Sequence, residues 1–296
     1  MGKHTFRLSA FADEAATSFE EQLAALRENS IGLIEIRGVN GKNVMELTDD
    51  EAKEAKALLD KYSIGLSALG SPIGKIGIDD DFDPHMEKLE RAFQLCRIFG
   101  TDKIRMFSFF MPKDVPYEAK REEVFARIEK MLLAAEENGM FLLHENEKGI
   151  YGDTDERCLD LMRVFYPRMQ CVFDPANFVQ CGVKPDAAFP ALAKYTEYIH
   201  VKDALLSDGA VVPAGKGDGG VESVLGQFLA FKDDAVLTIE PHLAVFDGLQ
   251  NLQHEEIKRH YSYPDKKTAF KAACDALKEI LTNLGFAEEK PGIWTR

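Results

Sequence analysis

The chain has 296 residues, 45% of them hydrophobic, and its 36 Lys and Arg against 50 Asp and Glu give a formal net charge of -14. This acidic balance argues against a surface for nucleic acid or acidic membranes, because phosphate groups are bound by clustered Lys and Arg. The five cysteines, an odd number without a CxxC pair, indicate reduced thiols in a cytoplasmic protein. No apolar run approaches the roughly 20 residues of a membrane span. Small molecules are therefore the expected partners.

Eight β-like runs alternate along the chain with eight helical patterns. The strands are predicted near Phe6–Phe11, Gly32–Arg37, Gly65–Leu69, Lys103–Phe107, Phe141–Glu145, Cys171–Asp174, Tyr198–Lys202 and Val236–Glu240. The helices are predicted near Ser18–Glu28, Asp49–Lys61, Pro84–Phe99, Tyr117–Asn138, Asp155–Phe165, Pro185–Ala193, Val221–Phe231 and Lys267–Leu284. Apolar spacing supports these assignments, since Val124, Ile128 and Met131 fall on one face of the fourth helix. Thr48 and Glu51 form a capping-box pattern that opens the second helix.

This alternation is typical of an α/β protein with a (β/α)8 TIM barrel, and we expect one domain over residues 1–296. A doubly wound open sheet is the alternative. That fold usually has a glycine-rich phosphate loop after its first strand, whereas the segment SAFADEAATSF contains no glycine. Two of the connecting segments are long, Gly70–Asp83 and His242–Lys266. We interpret the second, which contains Phe246 and His254, either as a lid or subunit contact or as an insertion packed on the barrel rim.

Four polar residues end four consecutive strands, and they are Glu145, Asp174, His200 and Glu240. The active sites of parallel barrels are built at the C-terminal ends of the strands, so these side chains are expected to converge. Three carboxylates and one imidazole repel one another unless a cation holds them together. The set therefore predicts a site for one divalent metal ion, with Mn2+, Co2+, Mg2+ and Zn2+ all compatible with oxygen and nitrogen ligands.

The segments HENEKGIYGDT, FDPANF, YIHVKDA and TIEPHL resemble the strand-end motifs of the xylose-isomerase-like TIM-barrel superfamily. This superfamily contains sugar phosphate isomerases and epimerases and the AP endonuclease family 2. The resemblance implies that Glu145, Asp174, His200 and Glu240 bind the metal ion. It also implies that Glu145 and Glu240 act as the acid and base in a reaction through an enediolate. A carbohydrate or cyclitol substrate and a possible homo-oligomer follow from the same resemblance.

Further side chains at the predicted mouth are candidate substrate-binding residues, and they are Asn177, Lys202, His242, Arg105 and Glu147. Asn177 is an amide that can orient a hydroxyl group. His242 and Glu147 each lie two residues beyond a metal-set glutamate and so share its direction. Lys202 is expected to hold a substrate hydroxyl, carboxylate or phosphate, and the alternative is a salt bridge to Asp203 or Glu147.

Three other features have two interpretations each. Glu35 and Arg37 share one strand face, which predicts an ion pair in the barrel floor, and the alternative is that Arg37 or Arg105 binds an anion. The run 215–220, GKGDGG, is either a phosphate cradle before a helix or a segment that shapes the loop near the metal. Trp294 is expected to be a packing anchor or an oligomer contact rather than a substrate platform.

The exact reaction stays open between several classes. A metal-dependent sugar isomerase or epimerase is the first hypothesis. Epimerases of the superfamily have an arginine several residues after the strand-seven histidine, and this chain has ALLSDG there. This departure argues against a ketohexose 3-epimerase. A dehydratase of the inosose or dehydroshikimate type, which shares the first step of proton removal beside a carbonyl, is the main alternative. A repair nuclease needs more histidines, and the acidic charge argues against it. The remaining hypothesis is a binding barrel without catalysis.

Overall fold

The computed structural model describes residues 3–245 and 258–296. Eight parallel strands form a closed barrel, in which each strand pairs with the next and the eighth pairs with the first from Thr5↔Asp234 to Ala10↔Ile239. The strands are β1 Thr5–Ala10, β2 Leu33–Ile36, β3 Gly65–Ile73, β4 Lys103–Met106, β5 Phe141–Glu145, β6 Met169–Phe173, β7 Thr196–Val201 and β8 Asp234–Ile239. The prediction of a (β/α)8 barrel is confirmed.

The described helices surround this barrel, and none combines the length and apolar character needed to cross a bilayer. They are α1 Phe19–Glu28, α2 Asp49–Tyr62, α3 Asp83–Phe99, α4 Arg121–Glu137, α5 Asp155–Phe165, α6 Pro175–Gln180, α7 Pro185–Leu192, α8 Val221–Phe228 and α9 Lys266–Asn283. The capping box of α2 is present, because the Thr48 side chain accepts from the Glu51 N–H group and Glu51 accepts from the Thr48 N–H group. The short helix α6 is absent from the sequence prediction.

A C-terminal hairpin, also missing from the prediction, lies beside the N-terminal half of β1. Its strands are β9 Ala287–Lys290 and β10 Ile293–Thr295, and β10 runs antiparallel to β1 with Phe6 opposite Trp294. On this edge β1 pairs with β2 only at Ser9 and Ala10, so β10 occupies the remaining backbone groups of β1. Trp294 is buried in the main hydrophobic core, as expected of a packing anchor.

Apolar residues inside the barrel form a floor beneath the polar strand ends. Leu143, Val172 and Tyr198 form one buried cluster with Ala68, and Val236 packs against it. Leu143, Val172 and Tyr198 each lie two positions before Glu145, Asp174 and His200, and side chains two apart share a strand face. The polar side chains therefore stand on a dry layer that keeps water out from below.

Candidate metal centre

The barrel brings Glu145, Asp174, His200 and Glu240 together at its C-terminal end. One possible ligand atom from each of the four side chains lies within 4.8 Å of the others, and all four residues are buried. This is the arrangement that the sequence predicts for the metal set. The convergence follows from strand order, since β5 to β8 are consecutive parallel neighbours in the barrel and their C-terminal ends share one mouth.

The imidazole of His200 is held between two carboxylates. Its Nε2 lies 3.0 Å from Glu35 Oε2, and its Nδ1 lies 2.9 Å from Glu145 Oε1 and 3.6 Å from Glu240 Oε2. Tyr198 donates its hydroxyl hydrogen to the other oxygen of Glu35 at 2.9 Å. Burial alone would lower the pKa of His200, but Glu145 and Glu35 raise the pKa to about 10. Without a metal ion the ring is therefore an imidazolium that bridges Glu35 and Glu145.

Three buried cations, Lys202, Arg105 and Arg37, neutralise the carboxylates of the site. Lys202 Nζ lies 2.9 Å from both Asp174 Oδ2 and Glu240 Oε2, which corrects the expected alternative of a salt bridge to Asp203 or Glu147. Arg105 Nη1 lies 3.2 Å from Glu145 Oε2. Burial raises the pKa of Asp174 to about 7, although Lys202 opposes this.

Arg37 and Glu35, which the sequence predicts to pair, have different partners. Arg37 donates to Asp13 at 2.9 Å, to Glu14 at 3.1 Å and to Glu240 at 2.9 Å. Glu35 instead contacts His200 and Tyr198, as described above. Burial raises the pKa of Glu14 to about 8, against the opposing effect of Arg37. Arg37 therefore contacts Glu240 of the metal set, and Glu35 contacts His200 of the same set.

The donor set fits a divalent cation. Within the described residues, Asp174 Oδ2 and Glu145 Oε2 accept no hydrogen bond of good geometry. Their contacts are ion pairs, with Lys202 at 2.9 Å and with Arg105 at 3.2 Å, so each oxygen keeps a lone pair for a cation. A neutral His200 donates from Nε2 to Glu35 and presents the Nδ1 lone pair to the carboxylates, which is how proteins orient a metal-binding histidine. Three carboxylates and one imidazole suit Mn2+, Co2+, Mg2+ or Zn2+.

Two asparagines complete the wall beside Asp174. Asp174 caps α6 by accepting from the Asn177 N–H group at 2.9 Å. Asn146 accepts from the Asp174 N–H group and donates to the Asp174 carbonyl oxygen, both at 2.9 Å. The Asn177 amide donates to the Asn146 carbonyl oxygen at 2.9 Å, and over the described chain its own Oδ1 has no hydrogen-bond partner. The Asn177 amide oxygen is thus an available acceptor in the wall of the site, and its role in substrate binding stays a prediction.

The other candidate substrate residues lie at the edge of the same cluster. His242 Nε2 is 3.4 Å from Glu240 Oε1 and 3.5 Å from Glu14 Oε1. The backbone of His242 has a φ of 47°, a left-handed conformation, and its N–H group donates to Glu14 at 2.6 Å. Glu147 lies further out and pairs with Lys75 at 2.7 Å.

The glycine-rich run 215–220 surrounds a carboxylate of the protein itself. Asp203 accepts backbone N–H groups from Gly215 at 2.9 Å, Gly217 at 3.0 Å and Gly219 at 2.7 Å. A Cβ atom on Gly217 would lie 2.4 Å from Asp203 Oδ1, so the close approach requires glycine there. Because Asp203 fills the cradle, the phosphate interpretation is wrong and the loop-shaping interpretation is the better one.

The long segment after β8 is described only in part. Phe246 and His254, which the lid interpretation includes, lie outside the described residues. Beyond them, Arg259 donates to the His242 carbonyl oxygen at 2.9 Å, and His260 lies 2.9 Å from Asp208. These contacts tie residues 258–260 to the rim of the barrel.

Sequence reasoning missed the supporting roles of Glu14, Glu35 and Asn146. Glu35 had a usable signal, because an acidic residue inside an apolar strand must find a buried partner. Asn146 also had one, since it directly follows Glu145 at a strand end. Glu14 lies in a 3-10 turn over Ala12–Glu14, and nothing in its local sequence distinguishes it from a solvated loop acid.

Comparison with known proteins agrees with this architecture. The chain is similar in structure to the probable 3-DHS dehydratase AsbF of Bacillus anthracis, with a TM-score of 0.71, 19% identity, and 92% of this chain and 98% of that chain covered. It is also similar to a D-allulose 3-epimerase from Methylomonas sp., with a TM-score of 0.69, 14% identity, and 94% and 98% covered. A third similar structure is the IOLI protein with a zinc atom, with a TM-score of 0.70, 13% identity, and 94% of this chain and 98% of that chain covered.

Identities this low show a common fold and leave the reaction open. Among curated protein sequences the search finds no match. The profile of the family described as xylose isomerase-like TIM barrel matches residues 23–280, which is most of the chain and includes every strand from β2 to β8. The chain therefore belongs to the xylose isomerase-like TIM-barrel family.

Proposed function

We propose that the protein is a divalent-metal-dependent sugar or sugar phosphate isomerase or epimerase. The observation that carries this proposal is the convergence of Glu145, Asp174, His200 and Glu240 within 4.8 Å at the C-terminal end of the barrel. The orientation of His200 by Glu35 adds support, because it leaves Nδ1 for a metal ion. An epimerase among the similar structures, the D-allulose 3-epimerase, supports a carbohydrate substrate.

A bound divalent ion would polarise a carbonyl group of the substrate and a neighbouring hydroxyl group, which acidifies the intervening C–H bond. Glu145 and Glu240 then serve as the proton-transfer pair. Both lie beside His200 Nδ1, at 2.9 Å and 3.6 Å, so they flank one centre from two strands. One carboxylate removes the proton to give an enediolate of the substrate, and the other returns it on the opposite face or at the adjacent carbon.

The remaining residues of the mouth orient the substrate in this proposal. Asn177 offers its free amide oxygen to a hydroxyl hydrogen, and the cations Arg105 and Lys202 offer N–H groups to substrate oxygens. His242 borders Glu240 at 3.4 Å and Glu147 lies further out, so in this proposal both contact the part of a sugar beyond the reacting carbons. The apolar floor below the site excludes water, which strengthens these electrostatic contacts.

A dehydratase of the inosose or dehydroshikimate type is the second candidate. Proton removal beside a carbonyl is common to both reactions, and the dehydratase then expels a hydroxyl group as water. The position of Lys202 favours it, since a buried ammonium group 2.9 Å from Glu240 can donate a hydrogen bond to the leaving hydroxyl group, which takes its proton from the carboxyl group that was protonated in the first step. The probable 3-DHS dehydratase AsbF among the similar structures gives this candidate further support.

The test has two stages. The first is the metal content of the purified protein beside Glu145→Ala and His200→Ala, where we expect near one divalent ion per chain in the wild type and loss in both variants. The second is solvent-deuterium incorporation into ketoses, inososes and keto acids, with product analysis. Deuterium in a rearranged sugar supports the isomerase or epimerase. A product that has lost a hydroxyl group as water supports the dehydratase.

Glu145→Gln and Glu240→Gln separate proton transfer from metal binding. We expect both variants to lose deuterium exchange, typically by a factor of about 10² to 10⁴. Glu197→Gln is the matched control, because Glu197 lies on the same barrel near the opposite end of β7 and pairs with Lys103 and Lys232. Full exchange activity in both site variants would refute the proposed roles.

A further inference from the structure

Lys202 brings a positive charge into the set of groups that a metal ion would use. Its Nζ lies 2.9 Å from Asp174 Oδ2 and 2.9 Å from Glu240 Oε2, and only 2% of its side chain is exposed. The same oxygen of Glu240 lies 3.6 Å from His200 Nδ1. The ammonium group therefore contacts two of the four side chains in the metal set. One of the oxygens that it contacts, Glu240 Oε2, also faces His200 Nδ1.

We propose that Lys202 is an internal counter-cation, which neutralises Asp174 and Glu240 in the metal-free protein and has to withdraw from them when a metal ion binds. This inference rests on the metal site of the proposed function. An ammonium group and a divalent ion repel each other strongly when both touch the same oxygens in a buried site. The two cations consequently compete for Asp174 and Glu240.

The side chain and its surroundings suit such a movement. Lysine is a compact charge on a flexible four-carbon stem, unlike the rigid, forked guanidinium group of arginine. Burial acts to lower the pKa of Lys202, but Asp174 and Glu240, with smaller effects from Glu145 and Glu147, hold that pKa well above its usual value. Glu147 lies outside the metal set, so its carboxylate gives the displaced ammonium group a neighbour of opposite charge.

The direction in which metal affinity changes on removal of the Lys202 charge distinguishes this competition from a purely structural role. In Lys202→Met the stem is nearly retained and the charge is lost. Without metal, Asp174 and Glu240 then lose the ammonium group between them, and only Glu240 keeps a cation, Arg37, so the variant should be less stable than the wild type. With metal, no ammonium group has to be displaced, and binding should be tighter. A lysine that only supported the ligands would give weaker metal binding on removal.

The experiment is a calorimetric titration of the metal-free proteins with Mn2+, together with their thermal unfolding in the absence of metal. For Lys202→Met we expect a Kd at least about 10-fold lower than that of the wild type, and a lower unfolding temperature without metal. Lys103→Met is the control, since Lys103 pairs with Glu197 near the opposite end of the barrel and contacts neither the metal set nor Glu147. Its Kd should change by less than about threefold.

The outcomes separate this inference from the proposed function. Equal or weaker Mn2+ binding by folded Lys202→Met overturns the inference and leaves the proposed metal site intact. Absence of Mn2+ binding in both proteins overturns the metal site itself. Binding by Lys202→Met alone supports the competition and refutes a working metal site in the wild type. If Lys202→Met does not fold, Lys202→Gln answers the same question, because it also removes the charge and keeps a polar group.

Discussion

Replacement of Asp203 by alanine removes the anion around which the loop after β7 is folded. The carboxylate is fully buried, and its two oxygens accept four backbone N–H groups, from Ala204, Gly215, Gly217 and Gly219, at 2.7 to 3.0 Å. In Asp203→Ala these donors lose their acceptor together. Asp203 directly follows Lys202, so a collapse of this loop would reach the metal centre.

The expected loss follows from the number of donors. A buried N–H group left without a partner costs about 1 to 3 kcal/mol, and water entering the vacated space satisfies some of the four. We therefore expect Asp203→Ala to reduce the free energy of unfolding by about 3 to 5 kcal/mol. Gly217→Ala should act in the same direction, because its Cβ atom would lie 2.4 Å from Asp203 Oδ1 and 2.5 Å from the Ala204 carbonyl oxygen.

Urea unfolding followed by circular dichroism measures this loss. Asp218→Ala is the control, since Asp218 belongs to the same loop but accepts from the exposed backbone N–H group of Leu206. It should cost less than about 1 kcal/mol. A loss for Asp203→Ala no larger than that of the control would refute the argument that the carboxylate organises the loop.

Three further predictions concern single groups. Glu35→Gln should weaken metal binding about 10- to 100-fold by calorimetry, because it removes the anion that orients His200, and unchanged affinity would contradict this. Burial is the main cause that lowers the pKa of His85 from 6.5 to about 4, and its Nε2 accepts the Gly74 N–H group. The unfolded chain therefore binds the extra proton, so stability falls as the pH drops from about 6.5 toward 4, and His85→Gln should flatten that part of a pH series of urea unfolding curves. Trp294→Ala should cost about 3 to 5 kcal/mol by urea unfolding, and a cost below about 1 kcal/mol would show that the hairpin is not part of the core.

The barrel and the four strand-end residues could be predicted because both follow from local patterns. A buried parallel strand is a short apolar run, and the polar residue that ends it, such as Glu145 or His200, must face the mouth. Register then follows from the order of the strands. No knowledge of distant contacts is needed at this level, and the predicted and observed limits of β5 are the same.

The partners of the charged side chains could not be predicted in this way. Arg37 reaches Glu240, which is 203 residues away in sequence, and Lys202 selects Asp174 and Glu240 over the adjacent Asp203. Such choices depend on the lengths and directions of flexible side chains from several strands. The hairpin of β9 and β10 was missed for another reason, since its first strand, AEEK, is exposed and polar and has no apolar alternation.

The position of β1 has a consequence for how the protein is made. Its partner β8 begins roughly 230 residues downstream, and β10 lies further still, so both edges of the earliest strand depend on late segments. A growing polypeptide on the ribosome can form the pairs from β2 to β7 while the N-terminal half of β1 keeps free backbone groups. Exposed strand edges promote association between chains, so this interval is where chaperones would have most effect on yield.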